Sequence, residues 1–162
     1  MSRPERPHSA ASGMLPTNDQ VLEAMAGNVR DFHPILVAAC ELAEWHGLRA
    51  RSTSTADHEI DCARAVLVRN IDRWVAGEVP RPHGGATMHS ETLGMVVDRL
   101  ARFSVDAYGV LAHGAPASEL HFAWKRLAEL TIAYGDLAGA VAARDRRLPD
   151  LSAAGLDRGG RW

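Results

Sequence analysis

The stretch His89-Ser90-Glu91-Thr92-Leu93-Gly94-Met95-Val96-Val97-Asp98-Arg99-Leu100 combines acidic, basic and hydroxyl side chains with an apolar stripe at helical spacing. On a helix advancing about 100° per residue, Glu91 and Asp98 fall within about 20° of one another, and Arg102 lies one turn further along that line. Such a column could bind a cation or a basic ligand. The same residues could equally form a solvated face, with Glu91 complementing the helix dipole and Asp98 pairing with Arg102 at the favourable spacing of four. Arg99 points to another side, where it could bridge to Asp106 or reach a partner helix. The recognition surface predicted from this pattern is His89, Glu91, Thr92, Asp98, Arg99 and Arg102.

Other chemistries leave fewer traces. His89-x-Glu91 is half of a zinc-deaminase signature, but both cysteines lie upstream and no Pro-Cys-x-x-Cys follows, so that site is excluded. No His-Glu-x-x-His occurs and no Glu-x-x-His falls within a predicted helix, which removes the zincin and di-iron bundle patterns. His46, His58, His83, His89, His113 and His121 fall at predicted helix ends or in loops, and the poles of a bundle could gather some of them. Gly84-Gly85 lacks the Gly-Lys-Ser/Thr continuation of a phosphate loop and reads as a flexible connection. No Gly-x-Ser-x-Gly elbow is present, and neither Cys40 nor Cys62 opens a predicted helix, so nucleophilic catalysis has no candidate. Arg144, Arg146 and Arg147 cluster where a helix C-terminus stabilises cations.

A magnesium site is the catalytic alternative. MazG-type nucleotide pyrophosphatases hold magnesium with Glu-x-x-Glu on one helix and Glu-x-x-Asp on the next, because phosphate-bound magnesium takes carboxylate oxygens and keeps waters for hydrolysis. Glu41-Leu42-Ala43-Glu44 resembles the first half. The second half departs, since Glu59 and Asp61 are two apart and Glu91 and Asp98 seven, so the site would have to consist of Glu41, Glu44, Glu91 and Asp98. Outside this alternative no cofactor is expected.

These residues need helices to position them. Almost no alternation of period two is sustained, and several stretches repeat near 3.6, which predicts an all-α fold. A short helix begins near Asn18 or Asp19 and ends at Gly27. A second opens at Pro34, with Ile35, Ala38, Ala39, Leu42 and Trp45 inward and Gly47 as its stop. A third follows the caps Ser52-Thr53-Ser54-Thr55 and buries Ile60, Ala63, Leu67, Ile71 and Trp74. Gly77 to Met88 is an interior loop, since Pro80 and Pro82 stop any helix. Ser90 caps a fourth helix with Leu93, Val96, Val97, Leu100, Phe103, Ala107 and Leu111 inward. After a short break at Gly114 and Pro116, which favours an antiparallel neighbour, the last helix runs from Pro116 to Arg144 with Leu120, Trp124, Leu127, Leu130, Tyr134, Leu137 and Val141 facing in. The expected architecture is an antiparallel helical bundle of about four main helices over residues 17–149, with disordered tails at 1–16 and 150–162. Trp45, Trp74 and Trp124 read as core or subunit-interface anchors.

The 162-residue chain suits one domain, and its 46% hydrophobic and 23% charged residues are ordinary for a globular protein. A formal net charge of −2 disfavours nucleic acid, which a phosphate-neutralising protein meets with a basic excess. No apolar run reaches the ~20 residues of a membrane span, and residues 1–16 lack the apolar core of a secretory signal. With both cysteines read as free thiols, a cytoplasmic location is expected.

The chain resembles the bacterial family catalogued as "domain of unknown function 4254". The likeness rests on His89 to Gly94 continuing to Asp98-Arg99-Leu100, and on Ile71-Asp72-Arg73-Trp74. It also rests on Leu127-Ala128-Glu129-Leu130, Tyr134-Gly135-Asp136-Leu137 and Arg146-Arg147-Leu148-Pro149, over about residues 20–149. The resemblance implies a helical fold and supplies no reaction, and Glu91, Thr92, Gly94, Asp98 and Arg99 match its most recognisable stretch. The expected function is therefore a binding or protein-interaction module, a homodimer with room for a further protein partner.

Overall fold

The computed structural model describes residues 14–52 and 56–151. Within them the helical periodicity becomes five helices: α1 (Asn18–Met25), α2 (Pro34–Arg51), α3 (Asp57–Glu78), α4 (Leu93–Ala112) and α5 (Ala117–Ala142). A two-residue parallel ladder joins β1 (Thr87–Met88) to β2 (Arg146–Arg147). The fold is all-α apart from that ladder, and the helix beyond the expected four is the short α1.

Local chemistry sets the helix ends, in several places differently from the sequence expectation. The α1 cap is Thr17, not Asn18 or Asp19, because Thr17 Oγ1 accepts the Gln20 amide (3.3 Å) while the Gln20 side chain accepts the Thr17 amide (2.9 Å). That reciprocal box satisfies two free donors at once. α2 opens at Pro34 as expected, with His33 Nδ1 accepting the Ile35 amide. It does not stop at Gly47. A helical glycine costs only about 1 kcal/mol, and continuing to Arg51 keeps Arg49 against α3. Of the expected α3 caps, Thr53 to Thr55 lie outside the described residues, Ser52 ends α2, and the residue preceding α3 is Ala56, which makes no side-chain cap bond. α4 is capped by Thr92 and not Ser90, its Oγ1 accepting the Met95 amide at 3.2 Å. α5 ends at Ala142 because Arg144 takes a left-handed conformation (φ 66°), returning its own amide and that of Asp145 to the carbonyls of Val141 and Ala140.

α4 is the central helix. α2 and α3 form an antiparallel pair, with the His33 ring against Trp74 at one end (4.6 Å between centroids) and Arg49 on Asp61 at the other (2.6 Å). α4 lies on both, placing Asp98 beside His46 and Arg64, and α5 returns antiparallel along it with Arg126 on Asp106. Ile35, Leu42, Ile71, Leu93, Val97, Leu100 and Tyr134 are fully buried. Trp45, Trp74 and Trp124 pack half-buried against this core, whereas Leu111, expected inside, is exposed. Packing begins at Leu15 and Pro16, where the Tyr134 hydroxyl donates to the Pro16 carbonyl (2.9 Å). Burial pushes that phenol well above its ordinary pKa. Among the described residues no helix is long and apolar enough to cross a membrane.

Candidate functional site

The motif that opens α4 forms the seam with α3. Gly94 is buried where a methyl group would collide with the carbonyl oxygen of Val68 and sit 2.9 Å from Asp72 Oδ1. Only hydrogen fits there, so α3 and α4 approach backbone to backbone. Asp72 uses the closeness: its Oδ1 accepts the Gly94 amide at 2.8 Å, and the Thr92 hydroxyl also reaches its carboxylate. Two of the free amides at the start of α4 are thus satisfied, one by Thr92 and one by a carboxylate on α3. Burial pushes the Asp72 pKa up, with Asp150 adding to the rise, and these bonds only partly oppose it.

One turn on, Asp98 holds three helices together. His46 Nε2 donates to Asp98 Oδ1 (2.9 Å), and the Arg64 guanidinium lies across both oxygens, Nε to Oδ1 at 3.0 Å and Nη2 to Oδ2 at 2.6 Å. Arg64 also reaches Asp61 (3.1 Å), and Asp61 accepts from Arg49 (2.6 Å), which extends the chain of charges from α4 through α3 to α2. The His46 ring is almost completely buried. Burial alone would raise the Asp98 pKa, but the bonds and charges of His46 and Arg64 outweigh it and hold the carboxyl down at about 2. The same carboxylate raises the Arg64 pKa.

A family model described as "Protein of unknown function (DUF4254)" matches residues 49–149. The chain belongs to that family. No curated protein and no solved structure matches it. The DUF4254 match spans α3, α4 and α5 with the ladder between them, and so contains the Asp72–Gly94 seam and the Arg64–Asp98 bridge but not His46.

Within this DUF4254 chain the expected column of Glu91, Asp98 and Arg102 is not a unit. Glu91 precedes the first helical residue, so helical spacing does not carry it over Asp98. It binds Arg99 instead, and Arg99 therefore does not bridge to Asp106. Asp98 points inward to His46 and Arg64, and Arg102 turns to Asp106 (4.0 Å). Thr92 is buried as a cap, and His89 Nδ1 accepts the Glu91 amide (3.2 Å). The four carboxylates of the magnesium alternative are similarly dispersed in role. Glu41 and Glu44 are exposed on α2, whereas Glu91 and Asp98 are each engaged by arginine. Among the described residues no group of three or more His, Cys, Asp or Glu side chains is arranged to hold a metal ion. The histidines do not converge on one pole either: His83 pairs with Asp145, His58 meets Cys62, His33 caps α2 and His113 bonds the Gly109 carbonyl.

Sequence reasoning missed Arg64 altogether, and named His46 only as a histidine near a helix end and Asp72 only within the Ile71 to Trp74 stretch, without their roles. A signal for the first two existed in Gly94 and Ala101, four before and three after Asp98. Small residues flanking an acid on a helix mark a face against which a neighbour packs closely.

The other half of α4 is built differently. His46 lies level with Asp98, and Arg51, the last residue of α2, lines the same groove as Val105. α3 runs the opposite way, with Arg64 level with Asp98, so its first turn also lies near Val105. From there α4 continues to Ala112, about 10 Å further at 1.5 Å per residue, with α5 packed along it and the end of α1, through Met25, beside Val105. On this overhang Tyr108 and Leu111 are 50% and 52% exposed, and the Tyr108 ring stands edge-on to Trp124 (5.2 Å). Arg126 lies 4.0 Å over the Phe103 ring and bonds Asp106 at 2.8 Å. Where the overhang begins, at Val105, lies an open groove of about 470 Å³ lined by residues including Met25, Cys40, Glu44, Leu48, Arg51 and Val105. Burial, then Glu44 and Glu41, raise the Cys40 thiol pKa, which keeps it in the unreactive form.

Proposed function

We propose that this chain is a protein-interaction module that works in the cytoplasm, and that its recognition surface is the overhang of α4 with the groove where it begins. The observation that carries this reading is the apolar stripe of α4, which continues past the ends of α2 and α3 and leaves Tyr108 and Leu111 exposed one and two turns beyond Val105, which lines the groove with Leu48. The occupant that fits is an amphipathic helix of a partner protein. Its apolar residues at helical spacing would extend the cover that α2 provides over the first half of α4, and an acidic residue would meet Arg51 at the groove wall. Arg102 is the member of the sequence-predicted recognition surface that borders this region, through Asp106. The two free cysteines support a reducing compartment.

Affinity capture from the native extract with wild type and with a Tyr108→Ser/Leu111→Ser variant tests the reading. It predicts a partner retained by the wild type and lost by the variant, with unchanged circular dichroism. A partner held equally by both would overturn it, as would magnesium-dependent turnover of a nucleotide panel by the wild type.

A further inference from the structure

α5 packs on α4, with smaller contacts to α1 and β2, and touches neither α2 nor α3 among the described residues. Its opposite side is a continuous exposed stripe: Ser118, Phe122, Lys125, Glu129, Ile132 and Asp136. At about 100° per residue these six fall within an arc of about 80°, on the side away from buried Ala123, Leu127, Tyr134 and Val141. Phe122 and Ile132 are each 63% exposed and take no part in the core.

The order of chemistries along the stripe is self-complementary. When two copies of a helix pack antiparallel about a two-fold axis, residues equidistant from the axis on opposite sides face each other, so one patch must complement itself. An axis level with Leu127 sets Phe122 against Ile132 of the second copy, Lys125 against Glu129, and Ser118 against Asp136. Each of the three pairings is favourable. The two exposed apolar side chains cover each other. Lys125 and Glu129, which already pair within the helix at 3.7 Å, become a ring of four alternating charges. Asp136 meets Ser118 in the first turn of the opposing α5, where the helix dipole favours a carboxylate. Shifting the axis by one turn sets Lys125 against Phe122 in one direction and Glu129 against Ile132 in the other.

We infer that the outer face of α5 is a two-fold interface for a second copy of this chain, in the register fixed by Lys125 and Glu129. The contact spans about 27 Å of helix, from residue 118 to 136, and leaves the overhang of α4 free. It is independent of the partner-binding reading, because it uses neither Tyr108 nor Leu111.

Sedimentation equilibrium on the full chain, with single and mixed variants, tests it. The wild type is expected at twice the chain mass at high micromolar concentration, and Phe122→Asp as a monomer. Lys125→Glu and Glu129→Lys each place like charges across the axis and are expected to weaken the dimer about tenfold. An equimolar mixture of these two variants restores opposite charges across the axis and is expected to recover the dimer, as is the double variant K125E/E129K. Recovery in the mixture reads only the intermolecular pair, since the helix-internal pair stays broken in both chains. A monomeric wild type, a dimer indifferent to both reversals, or a mixture that fails to recover would overturn the inference. None of these outcomes bears on capture through Tyr108 and Leu111.

Discussion

The first and second halves of α4 are the same helix in two environments. From Thr92 to Ala101 every polar side chain has an internal partner, and helices press in from three sides. From Val105 to Ala112 α5 is the long neighbour, joined only at the start by the end of α1, and tyrosine and leucine are left half in water. The contrast teaches that a recognisable polar motif need not be the working surface. The charged residues most conspicuous in the sequence are used up in assembling the fold, while the surface open to another molecule is mostly apolar.

Two glycines offer the sharpest way to break this comparison. Gly94→Ala drives a methyl into the Val68 carbonyl and is expected to cost about 3–4 kcal/mol in urea unfolding, because backbone must separate. The next largest effect belongs to the Asp98 bridge. Asp98→Asn leaves the buried His46 and Arg64 without their carboxylate and is expected to cost about 2–3 kcal/mol at neutral pH, as a native pKa of about 2 against an ordinary 3.8 implies. Because the native pKa is depressed, this stabilisation is complete above about pH 4 and disappears as pH falls toward 2. Unfolding titrations should show that loss in the wild type and a flatter profile in the asparagine variant.

Smaller effects are expected on the overhang. Asp106→Asn removes the acceptor shared by Arg126 and Arg102 and should cost about 0.5–1 kcal/mol by thermal unfolding, since these groups are partly solvated. Gly109→Ala, fifteen residues after Gly94 in the same helix, meets open space and should stabilise by up to about 1 kcal/mol. Opposite signs at Gly94 and Gly109 would confirm that the two halves differ in packing and not in helix propensity. Equal signs would remove the distinction.

Much of the fold was legible in the chain because it follows from local rules. Pro34 opens α2, Gly27 ends the turn after α1, and Ile35 to Leu42 of the α2 stripe and Leu93, Val96, Val97, Leu100 and Ala107 of the α4 stripe are buried where their period places them. Local rules failed where two candidates competed for one role. Thr92 caps α4 in place of Ser90 because only the later start puts Gly94 against Val68, and Gly47 stays helical because Arg49 and Arg51 have tertiary positions to fill. The partners of Asp98 were out of reach for a different reason. His46 is 52 positions away and Arg64 is 34, and their meeting depends on the relative register of three helices, which no window of sequence encodes. The exposure of Leu111 was hidden likewise, since it depends on where α2 and α3 stop.

The ladder between β1 and β2 has a consequence in time. Three amides, those of His83, Thr87 and His89, bond the carbonyls of Arg144, Asp145 and Arg147, closing a loop of roughly 60 residues around the whole α4–α5 hairpin. Closure of that size is slow to search unless the hairpin has already brought its ends together. The ladder is therefore expected to close last during folding, and pulse-labelling exchange at the Thr87 and His89 amides would show protection there after protection in α4 and α5.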